Sequence, residues 1–127
     1  MNRDMLFPIE DYEQWTCQVR IYLVSHSQLQ IRMENSETQQ VKFINFTGVE
    51  FYDGPLEWRG AGFFIGENSE CLSILRKMDA YTKDSDDILL SEMSLFIVRQ
   101  HDGHSVRIVA GKHPSLTEEN LFASYIP

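Results

Sequence analysis

In the stretch VRQHDGHSVRIV, residues 98–109, two histidines flank an Asp-Gly pair. Imidazoles and a carboxylate this close together could share a metal ion or pass a proton, the work His101, Asp102 and His104 would do in a metal or acid–base site. Whether they can depends on the register of the hairpin that must carry them. If Asp102-Gly103 forms a two-residue loop, His101 and His104 face each other with Cβ atoms about 5 Å apart. That register pairs Val98 with Arg107 and Arg99 with Val106, so each face mixes charge with aliphatic side chains. A three-residue loop, His101-Asp102-Gly103, with Gly103 left-handed, sorts them instead. Val98 then meets Val106, Phe96 meets Ile108 and Gln100 meets His104, while Arg99, Ser105 and Arg107 share the opposite face. Register follows the hydrophobic pattern, so the second arrangement is expected, with His101 at the loop tip pointing away from His104. The stretch reads as a turn rather than a site.

Other chemistry fails on spacing. Zinc needs three or four ligands, usually in short pairs, whereas Cys17 and Cys71 lie far apart and His26 and His113 form no pair. The acidic run KDSDD does not make a calcium loop. Counted from Asp84, the fifth and sixth positions are Ile88 and Leu89; counted from Asp79, they are Lys83 and Asp84. Gly60 and Gly62 lead into a strand-like run, Phe63 to Ile65, that Gly66 closes, instead of opening a helix that could hold a phosphate. No GxSxG elbow is present, and in His26-Ser27 and His104-Ser105 adjacent strand residues point to opposite faces. No catalytic residue, metal or cofactor is therefore expected. An enzyme built on His101, Asp102 or Glu57 is the weakest of three readings, because no constellation converges.

Charge points elsewhere. Asp and Glu number 19 against 11 Lys and Arg, a formal net charge of −8. Such a surface repels phosphate backbones and anionic lipid headgroups, which sets nucleic acid and membrane surfaces aside as partners. The segments Asp79 to Glu92 and Met1 to Gln14 together carry −7 of that total. A second stretch, Tyr52, Asp53, Glu57, Trp58 and Arg59, sets aromatics beside charges on a loop, a composition suited to contact. Trp58 either anchors a partner there or folds back over the edge of the core. The leading reading is a non-enzymatic cytoplasmic interaction domain that inhibits or chaperones a basic protein partner. Tyr52, Glu57, Trp58, Arg59, Asp84, Asp86, Asp87 and Glu92 would contact it. The alternatives are a carrier with a small hydrophobic ligand between sheet and helix, or an acidic surface that serves only solubility.

The elements that must position these residues follow from periodicity. The 127 residues, 43% hydrophobic, fit one globular domain spanning 1–127. Cys17, Val19, Ile21 and Leu23 alternate with Gln18, Arg20 and Tyr22, and Leu29, Ile31 and Met33 alternate likewise, giving two half-buried strands. VKFINFTGVEFY is apolar on both faces and reads as a central strand with a bulge at Gly48. GAGFFIGE follows as a fourth strand whose small residues would let another backbone or a helix approach closely.

Cys71, Ile74, Leu75, Met78 and Tyr81 mark one face of a helix from Asn68 to Lys83, and ILLSEM suits a short helical turn. Ser115 and Glu118 have capping-box spacing, which predicts a short C-terminal helix carrying Leu121, Phe122 and Tyr125. The order β-β-β-β-α-β-β-α predicts an α+β fold, an antiparallel meander of about six strands with one central and one C-terminal helix. The N-terminal MNRDMLFPIED has no apolar run, so no secretory segment is expected, and GAGFFIG is too short to span a bilayer. Cys17 and Cys71 are expected to be buried and reduced.

Overall fold

The computed structural model describes residues 5–7, 9–23, 28–78, 81–100 and 102–118. The fold is α+β with antiparallel sheets, as the periodicity predicts. Its strands, nine among the described residues, form two sheets instead of one meander. β1 (Trp15–Leu23), β2 (Gln28–Asn35), β3 (Val41–Phe46), β5 (Glu57–Arg59) and β9 (Ser115–Thr117) make a five-stranded sheet in the order β5-β1-β2-β3-β9. β4 (Phe51–Asp53), β6 (Phe63–Ile65), β7 (Met93–Arg99) and β8 (Ser105–Gly111) make the other, in the order β4-β8-β7-β6.

The alternating residues of β1 and β2 supply one wall of the main core. Trp15, Cys17, Leu29, Ile31 and Met33 are buried there with Ile44 and Phe46, against Phe63, Phe96, Val98, Val106 and Ile108 of the second sheet. The row predicted from Cys17 to Leu23 breaks midway. The register shifts between Val19 and Ile21, so Val19 lies opposite Ile31 but Ile21 lies opposite Gln30. The extra residue makes a β-bulge in β1.

The run predicted as one central strand is divided between the sheets. β3 ends at Phe46, the chain turns at Gly48 with φ +60°, and β4 resumes in the four-stranded sheet. The Gly111 N–H donates to the Thr47 carbonyl at 2.8 Å and ties the corner to β8. The close approaches at Gly62 and Gly66 are made by side chains. A Cβ would meet Tyr12 at 3.1 Å in one case and Leu95 at 2.8 Å in the other.

β7 is apolar on both faces because it is covered twice. Phe96 and Val98 face the main core, while Met93, Leu95 and Ile97 face a second core under two helices, α1 (Asn68–Leu75) and α2 (Asp86–Glu92). The result is three layers: sheet, sheet, helices.

The predicted long helix stops at Leu75, although Met78 and Tyr81 still pack in the second core. Arg76 accounts for the early stop. Its guanidinium donates to the Tyr81 carbonyl, to the Asp84 carbonyl at 2.7 Å and to the Asp86 carboxylate, folding the following chain back. The predicted turn at ILLSEM is a full helix, α2. The Ser85 hydroxyl caps it by accepting from the Ile88 N–H at 3.3 Å, and Asp86 and Asp87 occupy its positive end.

The helix start predicted at Ser115 is corrected: Ser115–Thr117 is strand β9, paired with β3. Asn45 Nδ2 donates to Ser115 Oγ at 3.3 Å and to Thr117 Oγ1 at 3.1 Å. Hydroxyl residues at cap spacing serve a strand edge equally well, and an open neighbour decided between the two. Leu121, Phe122 and Tyr125 lie outside the described residues.

Candidate functional site

The hairpin adopts the sorted register. Val98 pairs with Val106, Phe96 with Ile108 and Arg99 with Ser105. The Gln100 N–H donates to the His104 carbonyl at 2.7 Å, and the Gly103 N–H, at φ +93°, donates to the Gln100 carbonyl at 3.0 Å. His101 lies outside the described residues. Asp102 Oδ1 accepts from the His104 N–H at 3.0 Å, and its other oxygen is 3.2 Å from His104 Nδ1. The backbone N–H of His104, then its side chain, holds the Asp102 carboxyl below its ordinary range. This carboxylate organises a turn. Among the described residues, no three His, Cys, Asp or Glu side chains are placed to hold a metal.

A Cβ on Gly103 would meet nothing within 4 Å, so only its backbone angle constrains it. Gly103→Ala should therefore cost about 1 kcal/mol of stability, and Gly103→Asn less, because asparagine tolerates the left-handed region. Urea unfolding of the two variants checks this; equal stability in both and in the parent would refute it.

The aromatic loop is rearranged by the fold. Trp58, predicted as a partner anchor or a core cap, is 5% exposed and belongs to the main core. β5 pairs with β1, setting Trp58 opposite Cys17, and both side chains donate to the Gly60 carbonyl: indole Nε1 at 2.9 Å, thiol Sγ at 3.4 Å. The anchor role is corrected. The large apolar ring gains more from burial than a short edge strand can offer it in water.

Tyr52 is half-buried against the same core, with its hydroxyl donating to the Pro55 carbonyl. Burial, then nearby Cys17 and Asp53, pushes its pKa up to about 12. Glu57 and Arg59 remain exposed, but Arg59 is occupied: Nε donates to the Glu13 carbonyl at 3.0 Å, and a terminal nitrogen to Gln14 Oε1 at 3.5 Å. Asp53 pairs with Arg107 at 2.8 Å, which also reaches Glu70 at 3.3 Å.

A cleft of about 270 Å³ separates β5 from the hairpin loop, lined by Trp58, Arg59, Gln100 and Asp102. It lies away from the space between sheet and helix where the alternative, ligand-carrier reading puts its pocket. That space holds Cys71, Ile74, Leu75, Leu89, Leu95, Ile97 and Val109, all buried. Cys17 and Cys71 are both buried and free, and burial raises both thiol pKa values.

The predicted acidic residues Asp84, Asp86, Asp87 and Glu92 all stand exposed on α2 and the loop leading into it. They are brought together with each other but not with Glu57 and Arg59, which sit on β5 in the other sheet. Asp86 is the counter-ion of Arg76. Burial first, then nearby Glu50, Asp84 and Glu92, pushes the Tyr81 pKa up to about 12.

The sequence reading missed Ile88, 53% exposed among these carboxylates. The signal was present in DDILLSEM: Leu89, Leu90 and Met93 fill the inward side, leaving Ile88 outside. Among the described residues, no helix is long and apolar enough to cross a membrane. Compared with family models, curated proteins and solved structures, the chain finds no match in any of the three.

Proposed function

We propose that the protein is a non-enzymatic, cytoplasmic interaction domain that binds a basic protein partner through α2 and its lead-in loop, inhibiting or chaperoning it. The observation that supports this reading is Ile88, 53% exposed on a seven-residue helix that also carries exposed Asp87 and Glu92. One apolar contact inside a charged rim is how many interfaces divide their work: the apolar side chain sets lifetime, the charges set encounter rate. The acidic surface disfavours nucleic acid and anionic membranes as partners.

The Arg76 ion pair divides the acids into two kinds. Asp87 and Glu92 are available for steering, while Asp86 is engaged within the chain. With a basic partner isolated, reversing Asp87 and Glu92 to lysine should slow association roughly tenfold at low salt and lower the melting temperature by only a few degrees, from the charge lost at the positive end of α2. Ile88→Ala should mainly raise the dissociation rate. Stopped-flow kinetics at two salt concentrations measures both. Rates indifferent to salt and to both reversals would remove the reading.

A further inference from the structure

β6 and β7 are paired neighbours, Phe63 opposite Val98 and Ile65 opposite Phe96, yet the chain between them carries both helices. The helical layer is thus one excursion from a hairpin, leaving and re-entering the sheet at adjacent strands. The main core does not use it. Every residue in that core comes from the strands and the loops outside the excursion, and no described residue between Gly66 and Glu92 contributes.

The second core is built the other way. Cys71, Ile74, Leu75 and Leu89 on the excursion meet Leu95, Ile97 and Val109 on the sheet. The helices have eight and seven residues. Helices shorter than about 12 residues are marginal in water, so these two hold their shape only while packed on the sheet and on each other. An ion pair ties the excursion to the sheet beneath it: Glu70 lies 3.3 Å from Arg107.

We infer that α1 and α2 form a lid that lifts from the four-stranded sheet as one unit while the sandwich beneath it stays folded. Lifting uncovers Leu95, Ile97 and Val109 but breaks no strand pair, since β7 keeps β6 and β8 as neighbours. Cooperative units of this kind open at lower free energy than the whole protein.

The two cysteines report on the two cores separately: Cys71 lies on the inner face of the lid and Cys17 in the sandwich. A thiol-reactive disulfide reagent is applied at low concentration, where reclosing outpaces labelling, and the modified cysteine is identified by peptide mass mapping. Each rate is normalised to that of the same cysteine in the urea-unfolded chain. Cys71 should label at least ~10-fold faster than Cys17, with a shallower dependence on urea because less surface is exposed.

Ile31→Val separates the lid from a single cooperative fold, because it weakens the sandwich without touching the helices. Measured costs of such a change convert to roughly a two- to tenfold rise in labelling through global unfolding. Cys17 should show that rise while Cys71 stays within twofold of the parent. Labelling of both cysteines at one rate, or an equal rise of both in Ile31→Val, overturns the lid.

Discussion

Trp58→Ala should remove about 3–5 kcal/mol of folding stability, the usual cost of deleting a large buried aromatic. The indole is 5% exposed and packs in the main core beside β1. Its N–H also holds the Gly60 carbonyl, which accepts the Cys17 thiol as well. Deleting the ring leaves a cavity and removes one of two donors from a buried acceptor. Trp58→Phe separates these effects: it keeps an aromatic ring, loses the N–H, and should cost less, with about 1 kcal/mol from the hydrogen bond itself. Guanidinium unfolding followed by circular dichroism gives both numbers. A Trp58→Ala protein as stable as the parent but impaired in partner binding would restore the surface-anchor role that burial removes.

Phe46→Ala should be comparably severe, again about 3–5 kcal/mol. Phe46 is fully buried at the end of β3, its ring centroid 6.3 Å from that of Phe63 and 5.4 Å from that of Phe96. It thereby joins the five-stranded sheet to β6 and β7 of the other. Tilted ring pairs contribute about 0.5–1.5 kcal/mol beyond the area they bury. Since domains of this kind are stable by only about 5–15 kcal/mol, the loss is a large fraction of the whole. Phe46→Leu retains much of the volume and should recover part of it. The melting temperatures of the three proteins should fall in the order parent, Leu, Ala; an unchanged Ala variant would mean that the sheets are joined by other contacts.

The hairpin, the cysteines and the exposure of the acidic block were legible because each rests on local pattern. Alternation forces one register on β7 and β8, since any other puts arginine among the buried valines, and the structure has that register. The spacing of Cys71, Ile74 and Leu75 determines an inward face whatever lies beneath it, and all three are buried. A block of acids in DSDDILLSE stays in water because no basic run in the chain could cover it; a single arginine, Arg76, engages Asp86.

What only the tertiary structure decided turns on partners distant in sequence. Trp58 is inside because β5 found an edge on β1, more than forty residues earlier. Ser115–Thr117 is a strand because β3 offered open backbone groups and Asn45 offered its amide, 70 residues earlier. The run through Gly48 belongs to two sheets because the chain turns a corner there, and an apolar run looks the same whether it crosses one sheet or passes between two. Sequence period specifies which side of an element is apolar. Only packing specifies what that side meets, because burial is non-directional and takes whichever apolar surface the rest of the chain provides.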